Sequence, residues 1–517
     1  MVSSGAAQAC LLVLLCSGSA MAKMSRWERV LQAGADATVS QAPAVAPAAA
    51  VDSGPLGAMA PAPAPMAGPP PLPKASDALA LTNSSLNQLQ TLGTYQSDHV
   101  APPSAVLQLL NGSGYQQALG QNPYYAPQSF QYTLPDIFFQ LDALGIRQFH
   151  FNAWKDPNGT LAAHPAGLKL AGTSNVTLDP KYSYFGYKTF GDPDFDFQSS
   201  CVTLETCLQL IQSWSVNHTD HIPITVYLEP REQTLLGNSS SLNQQLASQP
   251  GEPQQLAVPY PINGDDLVEL QNTVYRVFNQ SAIILPGSLL GNDSTLQVAT
   301  QKAVGGSWPE METNRGRVLF VMVDSAGKYG DMYRQLFPDL RNATFFVSQP
   351  GNGNATIDNS TVFLDYLGPL GGGSVATWTN TSANAAVKKD MARVQAAVRK
   401  GFMARVAADW QTVEAREDYH NRSMDAIKAG THFLQTSFPN VAQLPKFAYS
   451  VLGSSNATYT NYTVSLPLRL GGSFNAGRCN PQTSAGIVAN ETASGCGSAA
   501  DNALLAPAPG PATAVSA

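Results

Sequence analysis

Charge is what this chain lacks most. Only 13% of its 517 residues are Asp, Glu, Lys or Arg, against the usual quarter, while apolar residues hold at 44%. It can bury a core and is no disordered polyelectrolyte. With 29 basic against 36 acidic residues, a net charge of −7 and no basic run, it lacks the electrostatic footprint of a nucleic-acid binder. No Gly-x-Ser-x-Gly elbow, His-Glu-x-x-His, P-loop or EF-hand loop occurs, which argues against the serine-hydrolase, zincin and nucleotide-binding classes. No apolar run approaches the roughly 20 residues of a membrane helix, so no transmembrane segment is expected. Cysteine is scarce, with six in all, and no Cys/His spacing suggests zinc.

The ends read as addresses and spacers. Ala9 to Cys16 is a short apolar block, and Ala20-Met21-Ala22 before Lys23 has the small-x-small form of a cleavage site, so residues 1–22 are expected to be a signal peptide. Residues 23–79 form a Pro/Ala-rich linker, containing Pro61-Ala62-Pro63-Ala64-Pro65 and Pro69-Pro70-Pro71, which favours extended conformers and buries little. Residues 501–517 repeat that character as a tail. The folded region is expected over 80–500.

Two features agree with a secreted, extracellular chain. Sixteen of the 29 asparagines stand in Asn-x-Ser/Thr, where chance would give roughly a third as many, so many are read as glycosylated surface sites. Cys10 and Cys16 fall in the leader, and Cys201, Cys207, Cys479 and Cys496 remain as an even set, as an oxidising compartment favours. Proximity suggests Cys201 with Cys207 and Cys479 with Cys496, although sequence does not fix the connectivity.

Between the tails, short β-rich runs alternate with helical periods. Strands are predicted at Ile146–Asn152, Ile224–Glu229, Arg317–Asp324, Ala343–Ser348, Phe402–Ala407 and Phe433–Phe438. Leu204, Cys207, Leu208 and Ile211 follow a Thr203 cap at helical spacing, and Met391, Val394 and Val398 do likewise. Repeated βα units over some 400 residues imply an α/β fold with a parallel sheet, for which a closed (β/α)8 barrel of the TIM type is the commonest single-domain solution. An open doubly wound sheet is the alternative, but no Gly-x-Gly-x-x-Gly opens a first helix.

The run Ile146-Arg147-Gln148-Phe149-His150-Phe151-Asn152 is chemically odd. A period of two places Gln148, His150 and Asn152 on one face and the phenylalanines on the other, so a barrel strand turns polar towards its carboxyl end, where active sites open. The bland reading is a buried His150–Asn152 hydrogen-bond pair. Glu229 follows the apolar run Ile224–Leu228 and is expected at the rim as a functional carboxylate; the bland alternative pairs it with Arg231. Asp192, Asp194 and Asp196 form an acidic turn that could bind a cation but is more simply a solvated turn. Trp154, Trp308 and the remaining histidines are taken as packing or surface residues.

The order of these motifs resembles the calcium-dependent phosphoinositide-specific phospholipase C-like phosphodiesterases, in the secreted single-barrel branch. The likeness runs from Gly93 to about Cys496. It rests on Gly145-Ile146-Arg147-Gln148-Phe149, the Asp194–Phe197 turn before Cys201, Pro223–Glu229, Trp308-Pro309, Arg315–Phe320, Gly401–Val406, Glu414-Ala415-Arg416 and Arg478–Pro481. The resemblance implies a barrel of that superfamily and cleavage of a phosphodiester, as in phosphoinositide or other lipid-type substrates. One His would remove a proton, another would protonate the leaving oxygen, and Ca²⁺ would stabilise charge on phosphorus.

Position by position, however, the family's groups are replaced. A Gly-Thr-His-Asn-Ser-Tyr-His-like stretch reads Gly93-Thr94-Tyr95-Gln96-Ser97-Asp98-His99. By that comparison Tyr95 stands for the first catalytic His and Gln96 for an Asn metal ligand. The family's Glu-x-Asp ligands fall on His150 and Asn152, its second His falls near Gly191, and the Glu229 ligand alone is retained. A phenol is a poor base at neutral pH, and two lost carboxylates weaken a hard-cation site. The expectation is therefore little Ca²⁺ binding and weak or lost catalysis. Two alternatives stand beside it: a non-catalytic extracellular glycoprotein binding a phosphorylated or glycan ligand, with His150, Asn152 and Glu229 lining the mouth, or a rewired hydrolase using His99, His150 and Glu229.

Overall fold

A computed structural model of the chain describes Asp77 and residues 84–118, 127–173, 176–302, 308–324, 327–351, 356–367, 381–439, 462–466 and 476–483. The expected signal peptide and tail lie outside the described residues, as does the expected linker apart from Asp77.

Eight parallel strands close on themselves. They are β1 (Leu89–Thr94), β2 (Gln148–Asp156), β4 (Ile224–Arg231), β5 (Val318–Met322), β6 (Phe345–Pro350), β7 (Phe363–Tyr366), β8 (Met403–Ala407) and β9 (Phe433–Thr436). Each pairs with the next around the ring, and β9 pairs with β1 while β1 pairs with β2 at Gly93–Gln148. Two short antiparallel strands lie outside the ring: β3 (Gly186–Lys188) on β2 and β10 (Gly477–Cys479) on β1. This is the TIM-type barrel that the alternating pattern predicts.

All six predicted strands are present, with shifted ends. Two barrel strands were not predicted, for a physical reason. In β1 two of the three outward residues are polar: Gln90 Nε2 donates to the Ile427 and Thr431 carbonyls, and Thr94 Oγ1 donates to Gln140 Oε1, with Leu92 between them, so neither alternation nor an apolar run marks it. β7 has four residues, one of them Asp365. The helix Leu204–Val216 begins as predicted, with the Thr203 side chain accepting from the Thr206 N–H at 3.2 Å. The helix Thr381–Arg399 carries Met391, Val394 and Val398 on its buried side.

Apolar residues fill the space between strands and helices in one large cluster. A second cluster gathers Trp154, Phe190, Phe195, Phe197, Leu242 and Leu246 from the segments beyond β2 and β4, so the carboxyl end of the barrel carries an extra packed layer on one side. Trp154 and Trp308 pack as expected, their indole N–H groups donating to the Phe190 and Gly401 carbonyls. Asp77 receives a forked contact from the buried Arg147 guanidinium and a hydrogen bond from the Ile222 N–H. Cys201 and Cys207 are joined, with their Cα atoms 5.3 Å apart. Cys479 is also disulfide-bonded, and its expected partner Cys496 lies outside the described residues. Among the described residues no helix is long and apolar enough to cross a membrane.

Candidate active site at the carboxyl end of the barrel

Inside the barrel the strand period separates two chemistries. Towards the amino end the inward residues Leu89, Thr225, Leu319, Met403 and Phe433 surround a small, largely apolar gap. Towards the carboxyl end they turn polar. There a cavity of about 420 Å³ is lined from the ends of seven strands or just beyond, by Tyr95 and Gln96, Glu229 and Arg231, Val323, Pro350, Asp365 and Leu367, Trp410 and Gln411, and Ser437; Tyr132, Gly191 and Asp196 close its side. This is the end where barrels of this class place their chemistry.

The β2–β4 register sets Asn152 beside Glu229 and His150 beside Tyr227. His150 Nε2 donates to Glu229 Oε2 at 3.1 Å, its Nδ1 accepts from the Gln96 N–H at 3.4 Å, and its backbone N–H donates to Ser97 Oγ at 2.8 Å. One donor and one acceptor fix it as the neutral imidazole. Burial pushes its pKa down, against the pull of Glu229. The Tyr95 ring stacks on it with centroids 4.8 Å apart. Burial, and then the Glu229 charge, push the Tyr95 hydroxyl far above the range of an ordinary phenol, so it stays protonated.

Glu229 holds the opposite balance. Burial alone would raise its pKa, but Arg231 Nη1 at 2.8 Å from Oε1 and His150 at Oε2 together outweigh burial and hold the carboxyl well below its usual range. Both oxygens are thus occupied. Asn152 does not pair with His150: its Nδ2 donates to the Phe190 carbonyl at 2.7 Å, while its buried Oδ1 has no hydrogen-bond partner among the described residues. Neither His150 nor Asn152 lines the cavity; of the three residues expected there, only Glu229 does. Gln96 Oε1, on the wall, accepts from the Tyr132 hydroxyl at 3.3 Å.

His99 is also behind the wall. Its Nε2 lies 2.8 Å from Asp196 Oδ1 and its Nδ1 3.0 Å from the Tyr132 carbonyl, with its ring stacked on Tyr132. Two acceptors face two ring nitrogens, so the hydrogen-bond geometry has a place for one proton more than a neutral imidazole and a carboxylate supply.

The acidic turn is not solvated, contrary to the simpler sequence reading. Asp192, Asp194 and Asp196 are only 1%, 3% and 2% exposed. Asp192 accepts from the N–H groups of Asp194, Phe195 and Leu235, and Asp194 from those of Ala166 and Ala257. These carboxylates organise backbone rather than a cation, and burial pushes both pKa values up. Asp196 alone of the three reaches the cavity, because Gly191 has no side chain: a Cβ there would lie 1.7 Å from Asp196 Oδ2. Sequence reasoning named Asp196 only as one member of the turn and missed its place on the cavity wall, since nothing in the turn distinguishes one aspartate from its neighbours.

The third acidic wall residue, Asp365, receives a two-pronged contact from Arg405 Nε and Nη2, each at 2.8 Å, and a hydrogen bond from Ser348. Arg405 is fully buried and lies over the Tyr227 ring at 3.7 Å. Every carboxylate on the wall therefore faces a cationic or protonatable partner. Among the described residues no three His, Cys, Asp or Glu side chains gather as metal ligands would.

No curated protein matches the chain. Solved structures do. A calcium-dependent phosphoinositol-specific phospholipase C from a Gram-negative Pseudomonas species, in complex with myoinositol, is 15% identical, with 69% of this chain and 91% of that one covered and a TM-score of 0.38. A Ca²⁺-dependent phosphatidylinositol-specific phospholipase C from Streptomyces antibioticus is 12% identical over 68% of this chain and 94% of its own, with a TM-score of 0.36. The family model of Ca²⁺-dependent phosphoinositide phospholipase C matches residues 84–362, more than half of the sequence and the part that carries β1 to β6 and both histidine–carboxylate pairs, and the chain belongs to that family.

Proposed function

We propose that the cavity binds the phosphate-bearing headgroup of a phosphoinositide or related phosphodiester without calcium, and that the calcium-dependent cleavage typical of the family is weak or absent. One observation carries this reading: the Glu229 carboxylate, the single retained ligand of the family's cation, has Arg231 on one oxygen and His150 on the other. The implied Ca²⁺ does not fit this donor set. The ion prefers six to eight oxygens, several of them anionic. Here Tyr95 and His150 stand where a base and a carboxylate are implied, Gln96 and Asn152 are neutral, and all three wall carboxylates are compensated. A guanidinium is a permanent cation with a forked donor geometry suited to phosphate, so Arg231 supplies from the protein the positive charge that a metal would bring. Tyr95 and Trp410 give the flat apolar walls that a sugar or inositol ring stacks on.

A second reading is favoured by the His99–Asp196 pair. It sets an imidazole-backed carboxylate at the cavity wall, so a metal-independent hydrolase would use Asp196, backed by His99, for proton transfer, with His150 holding Glu229 and Arg231 in place. On either reading the chain acts outside the cell, in keeping with the leader expected from its sequence and its density of Asn-x-Ser/Thr.

Calorimetric titration with Ca²⁺, followed by phosphodiesterase assay of the same sample, tests both. The proposal expects no calcium heat and no calcium-dependent product, with inositol phosphate still bound. A one-to-one calcium isotherm with cleavage that chelation stops would overturn it. Cleavage unaffected by chelation and lost in Asp196→Asn would select the second reading.

A further inference from the structure

The sequons carry an inference independent of the cavity. Nine of the sixteen Asn-x-Ser/Thr asparagines lie among the described residues, and all nine are exposed. The asparagines outside this motif behave differently: of the seven whose burial is described, Asn87, Asn152, Asn314 and Asn480 are buried. A sequon that arose by chance would follow asparagine in general and fall in the core as often as its neighbours do. An attached oligosaccharide is bulky and hydrated, and it tolerates only positions open to water.

The nine divide between the two ends of the barrel. Asn217 lies in the segment leading into β4, Asn279 and Asn292 in the segment leading into β5, Asn342 before β6 and Asn359 before β7. These are the connections at the amino ends of four successive strands, opposite the cavity. The other four, Asn111, Asn158, Asn238 and Asn421, follow strands, and none of the nine lines the cavity.

We propose that Asn217, Asn279, Asn292, Asn342 and Asn359 carry N-linked oligosaccharides that sheathe the amino end of the barrel, opposite the cavity. This supplies the hydration that a surface with so few charges lacks. It also dates the modification. The sequon hydroxyls of Asn342 and Asn359 belong to Thr344 and Thr361, both 0% exposed in the fold, whereas those of Asn217 and Asn279 belong to the exposed Thr219 and Ser281. The transferring enzyme must reach the hydroxyl as well as the amide, so Asn342 and Asn359 receive sugar before β6 and β7 enter the barrel.

The test is peptide mapping of the full chain secreted from a eukaryotic cell, after enzymatic release of N-glycans in heavy-oxygen water. Labelled Asp is expected at all five positions, and five unlabelled asparagines would overturn the proposal. Order of events is tested by offering unglycosylated chain made in bacteria to oligosaccharyltransferase with its lipid-linked donor, once folded and once unfolded by urea and diluted into the reaction. The folded chain is expected to accept sugar at Asn217 and Asn279 but at neither Asn342 nor Asn359, and the unfolded chain at all four. Equal modification of Asn342 and Asn359 in both samples would refute the timing. Secreted chain with Asn342→Gln and Asn359→Gln is expected to lose two glycan mass steps while binding inositol phosphate unchanged; loss of no mass step would count against both sites.

Discussion

Two carboxylates face the same cavity, each with a histidine behind it, yet they are in different electrical states. Glu229 is compensated by Arg231, so His150 behind it needs no charge and is held as a neutral ring between one donor and one acceptor. Asp196 receives no guanidinium contact among the described residues, and His99 is faced by acceptors on both nitrogens, so the geometry of that pair has a place for one more proton. The same residue types thus make a fixed electrostatic clamp on one side of the cavity and a pair with room for a proton on the other. The chemical capacity of a histidine is set by what its second nitrogen touches, more than by its presence near a carboxylate.

This contrast can be broken most severely at His99. His99→Ala leaves a buried carboxylate without its partner and is expected to cost about 3–5 kcal/mol in urea unfolding. His150→Asn, which removes a neutral ring from a carboxylate that keeps its arginine, is expected to cost about 1–2 kcal/mol; equal losses would erase the distinction. Gly191→Ala drives a methyl group into Asp196 and is expected to destabilise by about 1–3 kcal/mol, with any cleavage or binding that depends on Asp196 falling further than stability does. Arg231→Met is expected to weaken binding of an inositol phosphate about tenfold, or ~1.4 kcal/mol, and to flatten its salt dependence; unchanged affinity would remove the guanidinium from the binding reading.

The smallest effect is one of pH. His150 has a folded pKa below that of the unfolded chain, so the stability tied to its neutral form is present above the unfolded value, near 6.5, and is lost as pH falls through the folded one. Wild type is expected to lose more stability than His150→Asn between about pH 7 and pH 5, with the two curves running parallel above that range. A difference that instead grew with rising pH would show that the ring is charged in the fold.

Much of the architecture was legible because it follows from periodicity. In β2 the alternation that set Phe149 and Phe151 against Gln148, His150 and Asn152 is the alternation observed, with the phenylalanines in the apolar cluster and the polar residues inside the barrel. Thr203 capped its helix as its position announced. The Glu229–Arg231 pair was also readable, since residues two apart on a strand share a face. β1 was not, because its outward Gln90 bonds to a helix and a loop more than 300 residues away. Nor was the role of Asp196, which depends on His99 from another segment 97 residues earlier and on the absence of a Cβ at Gly191.

The sequence by itself determined the repeated βα pattern, the polar carboxyl end of β2, the carboxylate at the end of β4 and the count of exposed-type sequons, because each depends only on local spacing and residue chemistry. The tertiary structure decided which of those polar groups face the cavity and which stand behind it, and which carboxylates are paired with arginine and which are not. Burial and pairing set charge state, and both come from residues that the chain order keeps far apart.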